Sequence, residues 1–381
     1  MALLTGSGCV DFPKEGADYC ERNKATCGRA SITKPGIDQA SSRGFHTLAR
    51  AVDGSVWALG DNSSGQLGDG TRENRWIARM VPDLNNVTQV AAGYHHSLAV
   101  RASKVLIWGQ LGTGPLHEKP EQVPELESIN SIAAGESFSL ALNRPDILWA
   151  WGEGAAGQAS RTPVVVRGLP GIDKIAAGNA HALALDVNGV VWAWGDNSKG
   201  QLGDGTTTGP RMTPMRVKGL PEGSKIMLIA AGGSHSLAMD GNGGVWAWGD
   251  NSKGQLGDGT TTGPRTAPVK VIGLKGITAL AAGLEHSLAL TSSKSIMAWG
   301  RNSAGQLGID TVTDAEPTPK QTVNLTRVLS ISAGDSHSLA VEETNCLHGF
   351  GSNSRGQIGE GLGDAPSQAQ TVVPIICERG R

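Results

Sequence analysis

Six histidines stand in nearly the same sequence context: His46, His96, His181, His235, His286 and His337, each opening a segment of the type "HSLAL". Imidazoles can ligate a metal, act as general bases, or serve as buried hydrogen-bonding groups. A metal needs its ligands about 2 Å from one point, and equivalent positions of a ring-shaped repeat stay apart. The position also holds Phe138 in one copy. The expectation is a structural imidazole bridging backbone groups within its own unit, and no metal or other cofactor. Neighbours such as Ser234-His235-Ser236 come from the same repeat, so they argue for architecture over a nucleophilic pair. No H-E-x-x-H, G-x-S-x-G or P-loop is present. The chain is read as non-enzymatic.

Two further motifs have the outline of a site. "GEGAAG" at 152 to 157 satisfies G-x-G-x-x-G, but a dinucleotide site needs a helix next and an acid about 20 residues on. The segment aligns instead with "GDNSKG" at 195 to 200, a turn. "DNSSGQLGDGT" from Asp61, with relatives from Asp196 and Asp250, has oxygen ligands at close spacing. It lacks the carboxylates and closing Glu of a calcium loop, whereas Asn, Asp, Ser and Gly build turns through local bonds.

What positions these residues is a repeat. "WAWGDNSKGQLGDGTTTGPR" fills 192 to 211 and returns at 246 to 265. Aligning "AAGxxHSLAL" with "WAWGxNxxGQLG" gives seven copies, whose marker residues step by 50, 42, 43, 54, 51 and 51. A period of 40 to 50 residues implies a propeller, solenoid or array. "HSLAL" and "VWAW" alternate large and small residues at period two, as strands do. Asp53-Gly54, Asn188-Gly189 and Asn242-Gly243 lie between them and suit hairpin turns. Glycine numbers 54 of 381 residues, about twice the usual share of roughly 7%. The pattern predicts four short strands per repeat and an all-β, seven-bladed β-propeller over residues 31–381, preceded by a leader and Cys-containing segment at 1–30. Nine of ten tryptophans fall in the "WAW" element, where two rings on one face and a small residue on the other suit packing between sheets.

The repeat "AAGxxHSLAL…WAWGxNxxGQLGxG" resembles that of the regulator of chromosome condensation family, over residues 40 to 363. The resemblance implies seven blades and leaves function open, since relatives include an exchange factor for the nuclear GTPase Ran, a plant UV-B photoreceptor and inhibitors of β-lactamase. No repeat step exceeds 54 residues, leaving no room for the extended hairpin associated with the exchange factor. A basic tail and the photoreceptor's "GWRHT" repeats are also absent. The close copying resembles bacterial members.

With 33 basic against 35 acidic residues and no basic stripe, nucleic acid is a poor partner. No apolar run reaches the ~18 residues of a spanning helix. Partner-binding residues are expected among those that do not repeat. One group is the loop with Arg72, Arg75, Trp76 and Arg79, since Trp and Arg are frequent hot spots; the alternative is that Trp76 covers a blade edge. The other is a notch near His117, Glu118, Lys119 and Glu136, where two repeats are short.

"MALLTGSGC" resembles the tail of a lipoprotein signal, although eight residues without a basic start make a defective leader. Cys9 is either the lipidated residue or an ordinary thiol. Cys20, Cys27, Cys346 and Cys377 remain; Cys20 and Cys27 could close a small loop, and a Cys346–Cys377 bridge would staple the chain end to the last blade, though three pairings are open. Disulfides would mean an oxidising compartment, and free thiols would return the cytoplasm as an option. The expectation is an extracytoplasmic, monomeric binding scaffold for a protein or glycan. The alternatives are nucleotide exchange on a Ran-like small GTPase, and inhibition of a secreted enzyme. Both chain ends are expected to contribute to one closing blade.

Overall fold

The computed structural model describes residues 36–144, 146–153, 159–359 and 369–377. These residues form 28 strands in seven four-stranded antiparallel sheets, each built from consecutive strands. Blade 1 comprises β1 (Ile37–Arg43), β2 (His46–Ala51), β3 (Val56–Gly60) and β4 (Arg75–Met80). Blade 2 comprises β5 (Val87–Ala92), β6 (His96–Arg101), β7 (Lys104–Gln110) and β8 (Leu116–Gln122); blade 3 comprises β9 (Ile129–Ala134), β10 (Phe138–Asn143), β11 (Leu148–Gly152) and β12 (Ser160–Val165). Blade 4 runs from β13 (Ile172–Ala177) to β16 (Arg211–Arg216), and blade 5 from β17 (Ile226–Ala231) to β20 (Arg265–Lys270). Blade 6 runs from β21 (Ile277–Ala282) to β24 (Glu316–Gln321), and blade 7 from β25 (Val328–Ala333) to β28 (Ala369–Ile376). The first strand of each blade packs against the first strands of its neighbours, so "AAG" segments line a central channel.

Ring closure differs from the sequence expectation. The chain start supplies β1, the inner strand of blade 1, and the chain end supplies β28, the outer strand of blade 7. Each end completes its own sheet. The ring then closes by packing, β1 against β25 and β26 (His337–Glu342) and β4 against β28.

The core is divided into seven clusters, one per seam between blades. Period two sets its composition. Trp248 of blade 5 is fully buried among Leu202, Val217 and Leu183 of blade 4, while Ala247, on the opposite face, packs towards Trp299 of blade 6. Large on one face and small on the other lets identical sheets stack in a circle. The same tryptophans hold the neighbouring loop: the Nε1–H groups of Trp108, Trp248 and Trp299 donate to the carbonyls of Gln66, Gln201 and Gln255 at 2.8, 2.8 and 2.9 Å.

Candidate functional site

The repeat histidines are fully buried and join one blade to the next. His46 Nε2 lies 2.9 Å from Ser97 Oγ of blade 2, and Ser97 Oγ donates to the Gln66 carbonyl at 2.7 Å. Because the serine's single proton is spent on that carbonyl, the histidine must carry its proton on Nε2 and donate. The chain recurs as His181–Ser236–Gln201, His235–Ser287–Gln255 and His286–Ser338–Gln306. His96 reaches Ser139 in the same manner, and His337 closes the ring on Ser42. The expected bridge to backbone within one blade is thus corrected. The acceptor is a hydroxyl of the next blade, which sequence spacing alone does not bring into view. Burial holds all six imidazoles neutral, with pKa lowered to about 3. At the third seam Phe138 faces blade 4, where the serine position is Ala182; both are buried in one apolar cluster. Donor and acceptor are replaced together.

The "DNSxGQLGDGT" loop satisfies itself. Asn62 Oδ1 accepts from Leu67 N, while its amide donates to Asp69 and to the Thr71 carbonyl. Asp61 accepts from Ser63 and Gln66, and Asp69 from Thr71 and Arg75. The carboxylates that a cation would need are committed to turn geometry. Arg75 therefore belongs to the repeat, because Arg211–Asp204 and Arg265–Asp258 make the same ion pair. Its grouping with the non-repeated residues is corrected.

Trp76 lies against Gly356 in the blade 7 loop, close enough that a Cβ there would meet its ring at 3.0 Å. It packs along that blade edge and is itself exposed, as are Ile77 and Met80 after it on β4. Arg72 and Arg79 are exposed.

The short loops of blades 2 and 3 leave a groove of about 670 Å³ between them, lined by Leu111, Pro115, His117, Glu121, Trp151 and Arg161 among others. His117 Nδ1 pairs with Glu121 at 2.9 Å on its wall. The expected notch is therefore present with His117 in its lining, while the other three residues lie elsewhere. Glu118 and Lys119 pack on Gly65 and Gly70 of the blade 1 loop. Glu136 follows "AAG", so it sits at the axis rather than the rim.

That axial position varies from blade to blade. The residues after the inner-strand glycine are Tyr94, Glu136, Asn179, Gly233, Leu284 and Asp335 in blades 2 to 7. They surround one mouth of the channel, on the face that also carries the β3–β4 loops and their counterparts. Blade 1 has Gly44 at this place; the residue before it, Arg43, stands where the other blades have glycine, and its buried guanidinium crosses the channel. It donates to Asn179 Oδ1 at 2.7 Å and to the carbonyls of Ala177 and Ala231 at 2.7 and 3.1 Å. Burial lowers its pKa, an effect opposed by Asp335 and Glu136. Asp335 is raised by burial and accepts from Gly44 N at 3.1 Å. Phe45, Tyr94 and His95 form an edge-to-face aromatic row beside these acids, with centroids 5.9 and 4.6 Å apart. Arg43 escaped the sequence reading; its one signal is that it occupies the aligned place of a glycine.

Cys346 and Cys377 have Sγ atoms at bonding distance and Cα atoms 4.2 Å apart. Cys9, Cys20 and Cys27 lie outside the described residues, as do positions 154–158 of "GEGAAG".

Among curated proteins, the chain is 38% identical over 157 residues to the probable E3 ubiquitin-protein ligase HERC6 of Homo sapiens, covering 40% of this chain and 15% of that one. It is 35% identical over 147 residues to Protein RCC2 of Mus musculus, covering 37% and 28%. The chain thus spans less than a third of either relative. Among solved structures, Prp20p of Saccharomyces cerevisiae superposes with a TM-score of 0.75 at 24% identity, covering 86% of this chain and 87% of that one. Human WBSCR16 gives 0.73 at 22%, covering 81% and 88%. These two likenesses concern the fold. Residues 53–100 and 107–142 match the regulator of chromosome condensation (RCC1) repeat. With residues 158–379 matching the RCC1-like domain across more than half its length, the chain belongs to the RCC1-like domain family.

Proposed function

We propose that the protein is a non-enzymatic docking platform that receives a protein partner over the channel mouth occupied by Arg43. One observation carries this reading. In a chain whose blades copy one another down to twenty identical residues, the axial residues of blades 2 to 7 all differ and converge, with Arg43 of blade 1, on a single mouth. Glu136 and Asp335 beside the aromatic row of Phe45, Tyr94 and His95 suit a cationic segment, through charge and cation–π attraction. The groove between blades 2 and 3 opens beside the same loops and offers room for an apolar anchor. In support, Prp20p, which shares the fold, has been studied for its binding to Gsp1p and histones.

The test is anisotropy titration of a labelled Lys-rich peptide. Glu136→Lys and Tyr94→Ala should each weaken binding at least tenfold at low salt. Unchanged affinity in folded variants would remove the reading.

A second reading is nucleotide exchange on a Ran-like small GTPase, favoured by the likeness to Prp20p. Accelerated release of labelled GDP from such a GTPase would establish it, and no acceleration at saturating protein would exclude it. An extracytoplasmic location, with Cys9 lipidated and Cys346–Cys377 oxidised, belongs to the first reading. Intact mass with and without reduction tests it directly.

A further inference from the structure

Blade 7 departs from the repeat on the face opposite the channel mouth described above. Where blades 4 and 5 read "VVWAW" and "GVWAW", blade 7 reads "CLHGF". His348 replaces the first tryptophan of the pattern, Cys346 precedes it by two residues, and Cys377 follows the end of β28. Strand pairing gathers them. Ala340 is opposite His348, the Glu342 amide donates to the Cys346 carbonyl at 3.0 Å, and Leu347 is opposite Ile376. Period two then puts Glu342, Cys346 and His348 on one side of the sheet, with Cys377 beside them.

In blades 4 and 5 the carboxylate at the position of Glu342 accepts from the tryptophan: Asp186 from Trp192 Nε1 at 3.1 Å, Asp240 from Trp246 Nε1 at 2.9 Å. In blade 7 Glu342 Oε2 lies 3.1 Å from His348 Nε2. The carboxylate is thus retained while the indole, which cannot bind a metal, becomes an imidazole, which can. The two sulfurs and the imidazole all lie within 4.8 Å of one another and are partly buried. Ligand atoms around tetrahedral zinc are roughly 3.3–3.8 Å apart, given Zn–S near 2.3 Å and Zn–N near 2.0 Å. Small side-chain rotations bridge that difference once the sulfurs are unlinked.

We propose that Cys346, His348 and Cys377 form a thiolate–imidazole site for Zn²⁺ that is available only when the two cysteines are reduced. Glu342 stands beside the ring as the carboxylate that fixes its orientation and raises its basicity. Three protein ligands leave one position open to solvent. Disulfide and metal site are mutually exclusive uses of the same sulfurs. Reduction by a thiol or phosphine breaks the S–S bond, taking two electrons and two protons and leaving two thiols. Zn²⁺ then displaces both thiol protons as it binds. The C-terminal strand stays fastened to blade 7 in either state, by a covalent bond in one and by metal ligation in the other.

The experiment titrates Co²⁺ into the full chain carrying Cys9→Ser, Cys20→Ser and Cys27→Ser, anaerobically, after phosphine reduction and again after oxidation. The reduced protein should take up one equivalent, with tetrahedral visible bands and a thiolate-to-cobalt charge-transfer band, all bleached by Zn²⁺. The oxidised protein should show none. His348→Trp restores the residue of the other blades, so it should keep the fold, read by far-UV circular dichroism, and weaken Co²⁺ binding at least tenfold. Equal spectra in the two redox states, no bands in the reduced chain, or undiminished binding in folded His348→Trp would each overturn the proposal.

Discussion

The seam between blades 5 and 6 and the seam between blades 3 and 4 use one backbone plan with opposite chemistry. The first runs His235 Nε2–H to Ser287 Oγ and on to the Gln255 carbonyl. The second opposes Phe138 and Ala182 in a greasy contact with neither donor nor acceptor. A propeller seam therefore needs a volume filled at this point, and it tolerates polar groups only as a matched pair. A half-pair would leave a buried group unsatisfied, at a cost of about 1–3 kcal/mol. The histidines are read as joints rather than ligands on this ground.

The largest test of the comparison is acid. Each repeat histidine has a pKa of about 3 when folded against 6.5 for the free side chain. Between these values the unfolded chain binds more protons, so stability is complete above about pH 6.5 and falls as pH drops towards 3. The slope is up to about 1.4 kcal/mol per pH unit for each histidine. Hydrogen exchange at pH 5 and pH 7 should show protection lost at six seams and largely retained at the Phe138 seam. Uniform loss would break the distinction.

Next in size is conversion of one seam into the other. Phe138→His should cost about 2–4 kcal/mol in urea unfolding, because the new N–H meets Ala182. Adding Ala182→Ser should recover at least half, a coupling that a double-mutant cycle reads directly. Additive losses would show that the pairing carries no energy. Smaller is Ser287→Ala, which orphans His235 and removes one of two donors to the Gln255 carbonyl. Its expected cost is about 1–2 kcal/mol, whereas Ala182→Ser in the Phe138 background should cost less than about 1 kcal/mol if the hydroxyl finds a carbonyl.

Much of the fold was legible because period two and a period near 50 residues are both written into the chain many times. The tryptophan faces followed from "WAW" alone, and a notch followed from missing loop residues. What did not follow involves neighbours in space. Ser97 is the natural partner of His46 only once blades 1 and 2 are stacked, 51 residues apart. Glu136 was assigned to the notch because loop length locates a gap without locating the axis. Ring closure was misread because the sequence shows an end strand at each terminus without showing that each pairs inside its own blade.

Arg43 also gives the ring a temporal order. Its guanidinium bonds to Ala231, 188 residues later, and Ser42 beside it waits for His337, 295 residues later. At roughly 5–20 residues per second, a nascent chain holds that charged side chain without its carbonyl partners for about 10–40 seconds. The first blade thus leaves the ribosome carrying a cation that water must keep, and a finished inner surface is impossible before the fifth blade arrives. A symmetric repeat has no beginning, and this arginine supplies one.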